Sequence, residues 1–413
     1  MTSRALTTII LLFIHVIGYS KTITVCSTCA IKTIKNAISQ SQNGDVIVVK
    51  KGIYKETDLL IDKSIKLVGE DNPIVDAELK SGIFTVQNTR NVSIRGFYLK
   101  NIKISYIEDL AAIKIIQSNN CSIENNNLDN AYYGIYISKS DSCQVKHNNL
   151  TSYSVKESAS GNGIHLWYCK NALIDGNKVK GHRDGIYFEF VENSLIKNNS
   201  CTEQIRYGLH FMFSHNCEYF KNLFKNNGAG VAIMYSKKIK MYYNKFIDNW
   251  SPVSYGILLK DISDSYIEKN LFNKNTMAIY AEGCNRNVIV NNEFSQNGWA
   301  LKILGNCDNN TIEKNNFISN TFEVVTNSSR NNNYFENNYW SNYNGYDLNK
   351  DGIGDVPHSP ITLFSYMIEQ IPSSIVMLRS LFIDLLNLAE KITPVITPES
   401  YKDETPNMKP HQW

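Results

Sequence analysis

Ten asparagines recur along the chain at a nearly fixed interval: Asn126, Asn148, Asn177, Asn199, Asn222, Asn244, Asn270, Asn292, Asn315 and Asn337. The successive intervals are 22, 29, 22, 23, 22, 26, 22, 23 and 22 residues. A second series, Gly134, Gly163, Gly185, Gly208, Gly230, Gly256, Ala278 and Ala300, runs at 29, 22, 23, 22, 26, 22 and 22. Both series lengthen at the same two places, which marks inserted loops near Ser152–Ser160 and Trp250–Ser254. A unit this short cannot bury its own apolar face, but stacked copies can. After each Gly the apolar residues alternate, as in Ile135 and Ile137, Ile164 and Leu166, or Leu209 and Phe211. Period two is a strand with one buried face. The expected fold is all-β: a right-handed parallel β-helix, a solenoid of coils of about 22 residues. Each repeated Asn belongs in a turn, its amide bonded to the copies above and below.

An open coil end exposes core and strand edge, so the solenoid needs lids. Ile31, Ile34, Ala37 and Ile38 have helical spacing and stop before Gly44, which makes an N-terminal capping helix. Upstream, Arg4, the apolar run Ile9–Ile17 and the small Ser20 have the order of a secretory signal peptide. The expected layout is 1–20 signal peptide, 21–45 cap, 46–358 β-helix, and 359–413 an amphipathic helix with an extended partner-binding tail. Net charge is +3 over 413 residues, and there is no dense basic patch to bind nucleic acid.

All nine cysteines lie beyond residue 20. In an oxidising compartment, Cys26 and Cys29 read as a local disulfide, with a metal clip as the alternative. Cys121 and Cys143 keep the register and would be neighbours across coils, either as small buried residues or as a disulfide.

The strand after each Gly also has outward positions. The first outward row is Tyr136, His165, Tyr187, His210, Ala232, Leu258, and the second is Ser138, Trp167, Glu189, Met212, Met234, Lys260. Strand spacing sets Met212 and Met234 about 5 Å apart. Thioether with imidazole is a soft ligand set suited to Cu(I), so His165, His210, Met212 and Met234 are candidate copper ligands. The other reading is a Met- and aromatic-rich docking surface, with Trp167, Tyr187 and Glu189 as contact residues.

Two further features lie beyond the repeat. Asp347, Asn349, Asp351 and Asp355, with Gly352, fill positions of a calcium loop, although His358 stands where the closing Glu belongs. An Asx-rich turn without metal fits the same residues. Ser374–Lys391 reads as one helix with a broad apolar face that includes Leu378, Leu381, Phe382 and Leu385. That face would fold back on the coils, lie on a membrane or enter a partner's groove.

Several stretches resemble the NosD family: Gly161-Asn162-Gly163-Ile164-His165-Leu166-Trp167, Arg183-Asp184-Gly185-Ile186-Tyr187, and Arg206 through Ser214. Tyr255–Leu259, Asn338–Trp340, Gly345–Pro357 and the closing Pro406-Asn407-Met408 extend the resemblance over essentially the whole mature chain. It implies a periplasmic accessory protein, not an enzyme, that handles transient copper during maturation of nitrous oxide reductase. It also implies three partners: an ABC transporter (a membrane subunit and its ATPase), a copper chaperone lipoprotein, and the reductase. Attachment to the inner membrane would be peripheral, through the transporter, by way of Leu378, Leu381, Phe382 and Leu385. The chain has no Walker motif, so any ATPase is another chain. The rival readings are a carbohydrate-active β-helix, for which Arg183, Asp184 and Glu189 are the only grouped candidates, and a metal-free structural adaptor.

Overall fold

The computed structural model describes residues 20–328, 330–392 and 401–413. The signal-peptide stretch lies outside the described residues, apart from Ser20. Three parallel sheets of 14, 12 and 13 strands run the length of the molecule, and each strand pairs with its counterparts in the coils before and after. The solenoid starts earlier than the spacing predicts. Thr22–Val25, inside the expected cap, is already the first strand of the 14-stranded sheet and pairs with Val46–Val49. Cys26 and Cys29 form a disulfide just after it, which closes the metal-clip alternative. The other seven cysteines are free and buried, Cys121 and Cys143 included, so these act as small core residues. Helix α1 (Ile34–Gln40) buries Ile34, Ala37 and Ile38 at the N-terminal end. Its N-cap Thr33 accepts from the Asn36 N–H, and the Glu56 carboxylate accepts from the Ile34 and Lys35 N–H groups.

The two sequence ladders have different physical causes. Glycine recurs because coils pack backbone to backbone there. A Cβ on Gly185 would lie 2.5 Å from the Gly208 carbonyl oxygen, and one on Gly230 would lie 2.5 Å from that of Gly256. Asparagine recurs because it bridges coils. The backbone N–H and Nδ2 of Asn148 both donate to Asn177 Oδ1 at 3.0 Å, and Asn177 donates the same way to Asn199. The pattern repeats from Asn126 to Asn315. Each rung contributes about 1 kcal/mol, and leaving these buried groups unpaired costs more. The spacing points to Asn337 as the last member, but the ladder ends on Asn338, because that coil is one residue longer. Asn337 is instead the left-handed residue that turns the chain into it, with φ 52°. A second ladder, not singled out from the sequence, runs through Gln204, Asn227, Asn249, Asn275, Asn297 and Asn320.

Inside, one column changes character along the axis. Its N-terminal members are Leu99, Leu128, Leu150, Val179 and Cys201. From Phe224 on it becomes a stack of rings, Phe246, Phe272, Phe294, Phe317 and Trp340, with centroids 4.1–5.4 Å apart.

Beyond Trp340 the repeat stops, and the structure revises two expectations. The single helix over Ser374–Lys391 is broken. Helix α2 (Leu363–Gln370) packs through Phe364 and Ile368 on Phe322 and Val325, a 3-10 turn follows (Pro372–Met377), and α3 is Leu381–Ile392. Arg379, in the left-handed region at φ 66°, separates turn from helix. The last residues are not a free tail either. Residues 401–413 return to the open coil end, with Asp403 bridging Phe335 and Asn407 bridging Tyr339 in parallel register. Asp403 is fully buried, and its Oδ2 accepts from Asn338 N–H, Asn338 Nδ2 and Trp340 Nε1, each at 3.0 Å. It supplies the terminal acceptor of the Asn ladder. Pro394 and Pro398 lie outside the described residues.

Candidate metal site on the outward face

The outward columns are aligned as the sequence register predicts. On the 12-stranded sheet, Tyr136, His165, Tyr187, His210, Ala232 and Leu258 are successive Cα partners, as are Ser138, Trp167, Glu189, Met212, Met234 and Lys260. Their exposure differs from expectation. Tyr136, His165, Tyr187 and His210 are only 7%, 8%, 8% and 4% exposed. The cover comes from residues directly before the ladder glycines and from the first inserted loop. Tyr133 packs its ring on Tyr136 and His165, Tyr207 packs on His210, and Glu157 of the first inserted loop reaches Arg206 at 3.7 Å. Tyr187, expected on a docking surface, is therefore covered. Trp167, Glu189, Met212 and Met234 remain partly exposed.

Beneath the column lies an ion pair that sequence reasoning missed. The fully buried Asp184 carboxylate accepts from Arg206 Nε at 2.9 Å and Nη2 at 2.6 Å, from the Tyr207 N–H at 3.3 Å, and faces His210 Nδ1 at 3.3 Å. Burial alone would raise the Asp184 pKa. The hydrogen bonds from Arg206 and His210 outweigh it and hold it at about 2. The partner is Arg206, not the adjacent Arg183; it stands in the next coil, one residue before Tyr207, the register partner of Asp184. His165 bonds through Nδ1 to Asn162 Nδ2 at 3.1 Å, and burial, assisted by Arg183, lowers its pKa to about 3. Tyr187 Oη donates to Met212 Sδ at 3.6 Å, which fixes that thioether beside Met234.

The site thus offers two stacked thioethers and, two residues before Met212 on the same strand, an imidazole whose Nε2 is buried with no hydrogen-bond partner. An orphaned imidazole nitrogen on the strand that also carries a thioether two residues on, with a second thioether in register beside it, is the donor chemistry that suits a soft monovalent ion such as Cu(I). Among the described residues no three His, Cys, Asp or Glu side chains are grouped as a harder metal would require. Just past the Trp167–Met234 row, Tyr168, Phe190, Phe213 and Tyr235 stack ring on ring at 4.5–5.2 Å. All four sit at positive φ, unusual for bulky residues.

The remaining candidates are placed as follows. In the Asp-rich loop, Asp347 accepts from the N–H groups of Lys350, Asp351 and Gly352, Asp351 from Ile353, and Asp355 from Leu348. Asn349 Oδ1 accepts from the Asp351 N–H and its Nδ2 donates to Asp351. These bonds are those of an Asx-turn network. On α3, Leu381, Phe382 and Leu385 are 74%, 56% and 55% exposed, whereas Leu378 turns inward against the Phe364 and Ile383 cluster. No helix among the described residues is long and apolar enough to cross a membrane.

Fold and site together define a parallel β-helix whose middle coils carry one soft-ligand column, with a helical appendage at the C-terminal end. The family model described as "Periplasmic copper-binding protein (NosD)" matches residues 146–345, which hold that column from His165 to Met234. A relative from Pseudomonas aeruginosa named "Probable ABC transporter binding protein NosD" is 29% identical over 369 residues, covering 85% of each chain. Its namesake in Stutzerimonas stutzeri is 27% identical over 320 residues, covering 73% of this chain and 72% of the relative. The chain is thus similar to the NosD family over the middle and later coils, and to both relatives over most of its length. Among solved structures, PfbA, a surface adhesin of Streptococcus pneumoniae, aligns with TM-score 0.54 at 16% identity over 74% of this chain and 85% of the other. The GH136 lacto-N-biosidase from Eubacterium ramulus aligns with TM-score 0.54 at 10% identity over 76% and 68%. These likenesses concern the fold alone.

Proposed function

We propose that this chain is a periplasmic accessory protein that works with an ABC transporter and handles copper for assembly of the nitrous oxide reductase copper sites. Its Cu(I) contacts would be His210, Met212 and Met234, with His165 and Glu189 flanking. The observation that supports this most is the coincidence of the copper-binding family match with the column of imidazole and thioether groups at 146–345. Names of the relatives support the transporter partner. A copper chaperone lipoprotein as donor and the reductase as recipient follow from the family resemblance.

Competition of the intact mature chain with a chromogenic Cu(I) chelator tests the copper role. Met212→Leu/Met234→Leu is expected to weaken Cu(I) binding by at least tenfold, about 1.4 kcal/mol. Unchanged affinity removes these residues as ligands. In cells, the same variant should leave the reductase short of copper.

Docking to the transporter's membrane subunit is assigned to Leu381, Phe382 and Leu385, whose apolar side chains face solvent. Removing everything after Pro360 is a poor test, because Asp403 closes the solenoid. Leu381→Gln/Phe382→Gln/Leu385→Gln leaves that closure in place. Loss of co-purification with the membrane subunit supports the docking role, and retention refutes it.

A non-enzymatic role also fits the state of Asp184, whose carboxylate is buried and bonded to Arg206, unlike a general acid or base open to a sugar.

A further inference from the structure

The two histidines of the outward column are not equivalent. Ionised Asp184 can only accept hydrogen bonds, so the contact at His210 Nδ1 places the ring proton there. A neutral ring bonded this way carries its lone pair on Nε2, the nitrogen that is buried without a partner. At His165 the order is reversed. The Asn162 amide N–H donates into Nδ1, so that ring carries its proton on Nε2 and has no lone pair left to give.

Packing separates them in the same direction. His165 is enclosed by the rings of Tyr133, Tyr136 and Tyr187, with centroids 5.5, 4.8 and 4.7 Å away. The His210 ring meets Tyr187 and Tyr207, each at 4.9 Å, while the next coil offers only the methyl group of Ala232. The run of rings stops on the side where Met212 and Met234 stand.

We propose that His210 binds Cu(I) through Nε2 beside Met212 and Met234, that Asp184, clamped by Arg206, is the positioning residue that sets this tautomer, and that His165 is a packing residue. This rests on the copper-handling reading above. A carboxylate behind a ligating imidazole fixes the ring's orientation and raises its basicity, and its loss costs about 10- to 100-fold in metal affinity. The two hydrogen bonds from Arg206 hold the carboxylate in the orientation in which it accepts from Nδ1.

The experiment uses the intact mature chain labelled with ¹⁵N only at histidine. Long-range ¹H–¹⁵N spectra distinguish the two tautomers, and assignment comes from His210→Gln and His165→Gln. Before metal, His210 is expected to be protonated at Nδ1 and His165 at Nε2. On adding Cu(I) under reducing conditions, Nε2 of His210 should shift strongly and the His165 nitrogens should not. A metal-free His210 protonated at Nε2, or a Cu(I)-induced shift at His165 alone, overturns the proposal.

Asp184→Asn frees the tautomer and should lower Cu(I) affinity about 10- to 100-fold, with partial rescue in Asp184→Glu. If Asp184→Asn does not fold, the comparison passes to His210→Gln and His165→Gln. His210→Gln is expected to lose at least tenfold more affinity than His165→Gln, and equal losses overturn the assignment. A chain that shows the expected tautomers but binds no Cu(I) overturns the copper-handling reading, and this assignment with it.

Discussion

The two ends of the solenoid face the same problem, an exposed core and an open strand edge, and close by different means. At the N-terminal end, α1 lays Ile34, Ala37 and Ile38 over aliphatic coils, and its contribution is mainly apolar burial. At the C-terminal end, residues 401–413 add a pseudo-coil whose key atom is polar, the Asp403 carboxylate that takes three donors. One interior column differs in parallel, aliphatic or small up to Cys201 and a ring stack from Phe224 to Trp340. Asn338 explains the contrast. The donors of this ladder point toward the C-terminus, and the Asp403 carboxylate, which only accepts, is its last acceptor. At the N-terminal end of the ladder the backbone N–H of Phe97 donates to Asn126 Oδ1, so no added side chain is needed there.

The largest expected effect comes from removing that acceptor. Asp403→Ala leaves three buried donors unpaired at about 1–3 kcal/mol each. It should destabilise the C-terminal coils most strongly. Hydrogen exchange should accelerate around 292–338 and stay unchanged near Leu67 and Ile94, because coils couple mainly to their neighbours. Uniform acceleration would show that the ends are not independent. Asp403→Asn keeps an acceptor of the kind used in every other rung and should lose much less.

Next, Phe272→Ala in the ring stack is expected to cost about 3–5 kcal/mol by denaturant unfolding. Leu128→Ala, at the equivalent position of the aliphatic half, should cost about 2–5 kcal/mol. A smaller loss at Phe272 than at Leu128 would deny the rings their larger share.

A third expectation concerns acid and the start of the second ladder. His182 is fully buried, neither ring nitrogen has a partner among the described residues, and burial lowers its pKa to about 4. Below the ordinary histidine value of about 6.5 the unfolded chain takes up a proton that the folded chain refuses, so stability falls as pH drops from about 6.5 toward 4. The loss amounts to roughly 3 kcal/mol at most. His182→Gln, which matches the next rung Gln204, should flatten that part of the stability profile. An unaltered profile would remove His182 as its cause.

The smallest effect belongs to the N-terminal lid. Thr33→Ala removes the N-cap of α1 and should cost about 1 kcal/mol, with faster exchange confined to the first coils.

What could be read from the sequence was whatever repeats. The Gly and Asn ladders gave the coil length, and the register placed Tyr136, His165, Tyr187 and His210 in one row because a period-two strand leaves no freedom. The cover over that row was not legible. Tyr133 and Tyr207 stand in register just before Gly134 and Gly208, but the residue at that position changes from coil to coil and Glu157 lies in an inserted loop, so the spacing alone does not announce that His165 and His210 are buried. The Asp184–Arg206 pair was half legible, since Arg206 directly precedes Tyr207, the register partner of Asp184, but the adjacent Arg183 is the more obvious partner. The break at Arg379 and the return of Asp403 were not legible at all. A single left-handed residue can end a helix without proline or glycine, and an Asp 65 residues beyond Asn338 carries no periodic mark.

Because the acceptor that finishes the Asn ladder lies 65 residues beyond Asn338, after every coil of the solenoid, order of synthesis and order of closure coincide. Coils can stack as they emerge, N-terminal first, but the last rung stays open until Asp403 has been made. A chain cut short anywhere before it, even one that retains the whole column from Tyr136 to Met234, keeps an unfinished edge. Such a fragment is chemically distinguishable from the complete protein by the very groups a chaperone or protease reads: unpaired amides beside exposed aromatic rings.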